Sequence, residues 1–195
     1  MPGHGNFATQ DRPDICRPEY APLDKTDSSG ECEKRKCMRI LMVCLGNICR
    51  SPIAEGVLKA KATAAGLDWI IESAGTEKYH IGKPPHQFSQ SICSTHGIDI
   101  SAQRARRFTP ADLTGYDLVY AMADDVLTAI RKISGPKADY SHVQLFLDEL
   151  EPGAGKSVPD PWYGDEAGYI GVYDMIDACC DAIIKNHGPA TGHSA

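Results

Sequence analysis

Five residues separate Cys44 from Arg50, and Ser51 follows at once, in the run Cys44-Leu45-Gly46-Asn47-Ile48-Cys49-Arg50-Ser51. Each residue type has a use in moving a phosphoryl group. A thiolate can take the group covalently and then yield it to water. A short loop wrapped onto a helix N-terminus can turn backbone N–H groups inward, and such a nest binds a tetrahedral oxyanion without side chains. Gly46 and Asn47 best tolerate the positive φ that a tight wrap requires. The planar guanidinium of Arg50 can hold two oxygens of one phosphoryl group, which an ammonium cannot. These surroundings favour a thiolate at Cys44, and the Ser51 hydroxyl can donate to it. A bare Cys-x5-Arg match is common by chance, so its value depends on where it falls.

It falls between a strand and a helix. Residues 39–44 (RILMVC) are nearly all apolar, which predicts a strand buried on both faces. Pro52 opens a helical stretch with Ile53, Ala54, Val57, Leu58, Ala62 and Ala65 at helical spacing, and Gly66 closes it. Further strands are expected at 69–72, 116–121 and 143–147, and helices at about 85–96, 124–133 and 166–186. Strands alternating with helices predict an α/β fold. It is a single domain with a four-stranded parallel twisted sheet, helices on both faces and a phosphate-binding loop after the first strand. Ligands of such sheets bind at the carboxyl ends of the strands, where this loop lies. The domain is expected over 38–187. Residues 1–37, with Pro2, Pro13, Pro18 and Pro22 and no apolar period, read as a flexible extension, and 188–195 as a flexible tail.

The chain of 195 residues is 42% apolar and 24% charged, ordinary for one globular domain. Its net charge of −6 argues against a nucleic-acid or anionic-membrane partner. Arg104, Arg106 and Arg107 form the one basic cluster and read as a solvated or structural face. No apolar run approaches the roughly 20 residues of a membrane span. No secretory or transit pattern is read at the N-terminus, so the expectation is a cytoplasmic, monomeric enzyme with reduced cysteines, no metal and no cofactor.

The segment Val43–Gly56 (VCLGNICRSPIAEG) resembles the phosphate-binding loop of low-molecular-weight protein tyrosine phosphatases. The resemblance continues through 72–76 (ESAGT), His96-Gly97-Ile98 and 159–163 (PDPWY), in order, over nearly all of 38–186. It implies hydrolysis of phosphotyrosine-bearing proteins through a phosphocysteine on Cys44, aided by Arg50, with Leu45 to Cys49 and Ser51 forming the phosphate loop. Tyrosyl phosphate leaves as a phenolate and needs a proton, so a general acid must come from another loop. Asp160, stiffened between Pro159 and Pro161, matches the family's acid. Trp162 and Tyr163 match one wall of a slot for a phenyl ring, and Tyr79 the wall opposite. Ser73 and His96 match residues that hold the strained Asn47, although His96 read alone is a helix-ending histidine. One departure is Met122-Ala123-Asp124-Asp125, where the family commonly has Met-Asp; either Asp124 shifts into that role or a supporting contact is lost.

Related chemistries on this fold are less well matched. A thiol-coupled arsenate reductase needs a relay of cysteines in a flexible loop. After Cys49 only Cys93, Cys179 and Cys180 remain, the last two expected within a helix. Arginine phosphatases of the family tend to have Thr where this chain has Ile48, and an apolar residue suits a phenyl ring better than a guanidinium. A catalytically dead binding module should lack Cys44, Arg50 or Asp160, and all three are present.

Overall fold

The computed structural model describes residues 37–189. The segments expected to be flexible, 1–37 and 188–195, lie almost wholly outside the described residues. Four strands, β1 (Arg39–Cys44), β2 (Ile70–Gly75), β3 (Leu118–Ala121) and β4 (Val143–Leu145), form one sheet in the order β2-β1-β3-β4. All pairings are parallel, with Cys44 beside Gly75 and Val43 beside Ala121. The helices are α1 (Arg50–Ala64), α2 (Gln87–Thr95), α3 (Asp112–Gly115), α4 (Asp124–Ser134) and α5 (Glu166–His187).

The apolar run of β1 does what period 2 requires. Ile40, Met42 and Cys44 face a core shared with α1, α2 and α5, while Leu41 and Val43 face one shared with α3 and α4. Ile40, Leu41, Met42 and Val43 are fully buried. Each side chain so buried stabilises the fold by about 1.5–3 kcal/mol. Two-sided burial also fixes the register, because a one-residue slip would exchange the two faces.

Helix ends place the loops. At the end of α1, Gly66 has φ 67°, Leu67 N–H donates to Ala62 O and Gly66 N–H to Thr63 O. The end of α2 repeats this with Gly97 at φ 73°, Ile98 N–H on Cys93 O and Gly97 N–H on Ser94 O. Both are Schellman closures, which only a residue at ease in the left-handed region forms cheaply. The strand expected at 143–147 is shorter, because the chain turns into a 3-10 helix at Phe146–Glu149. Helix α3 was not foreseen; it is only four residues long.

The expectation of reduced cysteines holds at Cys44, Cys49, Cys93, Cys179 and Cys180, all buried free thiols. Cys37 departs from it and is disulfide-bonded. No helix among the described residues is long and apolar enough to cross a membrane.

Candidate active site

β1 lies inside the sheet, with β2 on one side and β3 on the other, so the chain leaving Cys44 enters the crevice where strand order reverses. Residues 45–49 then wrap directly onto the N-terminus of α1. Four carbonyls along the wrap, those of Cys44, Leu45, Ile48 and Cys49, are tied by hydrogen bonds. Thr76 N–H donates to Cys44 O and Glu77 N–H to Leu45 O, while His86 N–H donates to Ile48 O at 2.7 Å. The Ser89 hydroxyl reaches Ile48 O at 3.2 Å and Cys49 O at 3.4 Å. Inside the wrap, the Asn47 N–H donates to Cys44 Sγ at 3.2 Å and the Ser51 hydroxyl does so at 3.0 Å. The Cys44 sulfur thus accepts twice at the point where the loop meets the N-terminus of α1.

Asn47 has φ 56°, the sole non-glycine residue in the left-handed region among those described. Its side chain holds it there. Nδ2 donates to Ser51 Oγ at 3.0 Å and to Ser73 Oγ at 2.8 Å, and Oδ1 accepts from the Arg106 N–H at 2.9 Å. Arg106 is fixed in turn by Asp112, both of whose oxygens lie 3.1 Å from Nη1, and by Tyr116 Oη at 3.0 Å. The basic cluster thus contributes a structural residue at Arg106. Gly46, expected to share the positive φ, does not. A Cβ there would lie 2.9 Å from the His80 ring, which would have to shift to admit it. Gly75 is more tightly constrained, since a Cβ would lie 2.8 Å from Leu45 O and 3.0 Å from Asn47 N. The sequence reading gave no role to Gly75 or His80, and to Arg106 only a place in a solvated or structural face.

His96 is a correction. Its Nδ1 bonds Ile92 O at 2.9 Å and its ring stacks on Tyr173 at 3.9 Å, so it finishes α2 rather than supporting Asn47. It is the residue just before the left-handed Gly97, and the turn of that closure directs its ring back over α2 and onto α5. The Asn47 partners are the two serines and the Arg106 amide. Asp124 likewise stays at the start of α4, exposed, with its N–H on Ser157 Oγ at 3.1 Å.

Arg50 is 4% exposed. Its Nη1 donates to Val158 O at 3.1 Å and its Nη2 to Asp160 Oδ2 at 2.7 Å. The buried Nε has no hydrogen-bond partner among the described residues. Asp160 is 37% exposed, and its Oδ1 accepts from the Trp162 N–H at 3.1 Å, which starts a 3-10 turn at Pro161–Tyr163. A residue 110 positions away in sequence thus meets the arginine of the loop. Trp162 is half-exposed, with its ring 5.5 Å from those of both His80 and His86. Tyr79 and Tyr163 are more open, 71% and 96% exposed. Core packing is therefore not the role of any of the three.

Ile48 and Cys49 are buried in the loop, and Leu45 is partly exposed. Cys49 Sγ lies 3.4 Å from Tyr169 Oη, and burial pushes its thiol up to about 11. Among the described residues, no group of three His, Cys, Asp or Glu side chains is arranged to hold a metal ion.

Residues 39–188 match the family model described as low molecular weight phosphotyrosine protein phosphatase. The chain is 36% identical over 149 residues to the human protein of that name, covering 75% of this chain and 93% of the human one. The crystal structure of YfkJ from Bacillus subtilis superposes with a TM-score of 0.72 at 33% identity, over 80% of this chain and 99% of the other. A Drosophila arginine phosphatase structure gives a TM-score of 0.72 at 25% identity, over 78% and 99% of the two chains. By this match over residues 39–188 and these relatives, the chain belongs to the low molecular weight phosphotyrosine protein phosphatase family.

Proposed function

We propose that this chain hydrolyses phosphotyrosine and small aryl phosphates through a phosphocysteine on Cys44, with Asp160 as general acid and then base. The observation that carries the reading is the 2.7 Å pairing of Arg50 with Asp160 beside a cysteine sulfur that accepts two hydrogen bonds. The phosphoryl oxygens take the loop N–H groups and the Arg50 fork, whose buried Nε has no other partner among the described residues. They compete with Asp160 for Nη2, which releases the carboxyl to meet the leaving oxygen. The Cys44 thiolate attacks phosphorus, the P–O bond to the phenol breaks, and Asp160 protonates the leaving oxygen. Water then attacks the phosphocysteine, Asp160 takes its proton, and phosphate leaves with the thiolate restored.

The aryl group lies against Trp162, with Tyr79 and Tyr163 at the open rim; Ile48 adds apolar surface at the loop. Substrates are phosphotyrosine-bearing proteins, met by a monomer in the cytoplasm without metal or cofactor. A turnover panel of phosphotyrosine, phosphoarginine, phosphoserine and arsenate tests this. Phosphotyrosine should be the best substrate by at least tenfold; faster turnover of phosphoarginine or arsenate would overturn the assignment.

A further inference from the structure

His86 touches both halves of the site without lying in either. Its main-chain N–H holds Ile48 O, and its imidazole Nδ1 accepts the Phe88 N–H at 3.3 Å, capping α2. Ser89, in that capped first turn, holds Ile48 O and Cys49 O. The Tyr169 hydroxyl lies 3.1 Å from the same Nδ1 and 3.4 Å from Cys49 Sγ, and Tyr169 is wholly buried. The imidazole stacks on the Tyr169 ring at 5.7 Å and meets the Trp162 ring edge-on at 5.5 Å.

A main-chain N–H can only donate, so Nδ1 must present its lone pair to Phe88. The imidazole is then neutral, with its proton on Nε2. Tyr169 donates to the shared lone pair, and its oxygen is free to accept the Cys49 S–H. Two protons thus point one way, from Cys49 through Tyr169 to His86. We propose that His86 is a positioning residue for the phosphate-binding loop that works only while neutral, so that its protonation loosens the loop. The proposal rests on the phosphatase reading above.

A second proton would sit on Nδ1 and face the Phe88 N–H. The tyrosine hydroxyl can rotate away, but the main-chain N–H cannot, and the cap of α2 is lost with its grip on Ile48 and Cys49. The surrounding groups do not supply a counter-charge within bonding distance. From α5, Tyr169 presents a neutral hydroxyl, while Glu166 is bonded to Ser91 and Asp165 caps its own helix. From the acid turn, Asp160 is paired with Arg50, and from the phosphate loop Cys49 is a neutral thiol. His80 lies across the Trp162 ring. Burial holds the His86 imidazole below its ordinary 6.5. The neutral form therefore prevails at neutral pH, and support is lost as pH falls below 6.5 and through the lowered value.

The test is kcat/KM for 4-nitrophenyl phosphate between pH 8 and pH 4.5, on the full chain and on His86→Asn. Asparagine keeps a cap for Phe88 and does not titrate. The two proteins share every titratable group but this imidazole, so the ratio of variant to parent isolates His86. That ratio should be level near pH 8 and rise several-fold as pH falls to 5; a ratio level throughout would overturn the proposal. Long-range proton–nitrogen spectra of the parent should show neutral His86 protonated on Nε2. A proton on Nδ1 would overturn the proposal even if the variant did not fold. A parent that turned over no aryl phosphate at any pH would sink the phosphatase reading itself, whereas the tautomer would still report on the bond.

Discussion

Ser73 Oγ lies 2.6 Å from Glu55 Oε2, and this one contact sets the direction of every proton between Glu55 and Cys44. A carboxylate only accepts, so Ser73 donates to it and receives from Asn47 Nδ2. Asn47 gives its other amide proton to Ser51, whose own proton goes to Cys44 Sγ. Glu55 is buried and held by Lys59 at 2.6 Å, one helical turn on.

Glu55→Gln should therefore weaken the site without touching it. A glutamine amide can present a donor to Ser73, turn that hydroxyl round and loosen Asn47 from its left-handed conformation. Loss of one hydrogen bond to a charged group is worth about 1.5–3 kcal/mol. A fall of about tenfold or more in kcat/KM for an aryl phosphate is expected. Steady-state kinetics check it, and an unchanged value would show that Asn47 does not depend on the carboxylate.

Asp160→Asn removes the proposed proton donor and leaves the Trp162 N–H an acceptor. The loss in rate should be large for phosphotyrosine, on the order of 10²–10⁴-fold, and small for a phenol so acidic that it leaves unprotonated. The slope of log kcat against leaving-group acidity should steepen in the variant. Equal losses across the series would point to another acid.

The two loop cysteines should separate by reactivity. Burial raises the Cys49 thiol to about 11, so it stays neutral as pH rises from 7 through 9 and becomes a nucleophile only near 11. Alkylation by iodoacetamide at pH 7 should modify Cys44 with loss of activity and leave Cys49 unlabelled in a peptide map. Inorganic phosphate should protect. Labelling of Cys49 at a comparable rate would mean the loop opens readily.

Replacing Ile48 with Thr should raise phosphoarginine turnover relative to phosphotyrosine. The change adds a hydroxyl for a guanidinium and withdraws apolar surface from a phenyl ring. Ile48 is only 7% exposed, so the shift expected is several-fold rather than complete. An unchanged ratio would remove Ile48 from substrate choice.

Much of this was legible in the sequence because it is local. The apolar run of β1, the glycines closing α1 and α2, and the spacing of Cys44, Arg50 and Ser51 each act within a few residues. Ser73 and Asp160 were legible through family resemblance, and both meet the loop. His96 was not, since a histidine before a helix-closing glycine has a bond to Ile92 O at hand. The remaining supports leave little mark in sequence. Arg106 acts on Asn47 through its main-chain N–H, which any residue but proline possesses. Gly75 is glycine because another loop approaches it, and Tyr169 meets Cys49 across 120 positions. Such contacts are set by tertiary packing, not by local pattern.

The central claim is a covalent phosphoryl group on Cys44, and rapid quenching of the enzyme in acid during turnover of an aryl phosphate tests it most directly. Asp160→Asn, slowed in giving water its base, should accumulate the intermediate after a burst of phenol equal to the enzyme present. Mass spectrometry of the digested protein should find one phosphoryl group on the peptide bearing Cys44. Cys44→Ser should give neither burst nor adduct while still binding phosphate through the loop and Arg50. A phosphoryl group on another residue, or turnover by Cys44→Ser, would contradict the account.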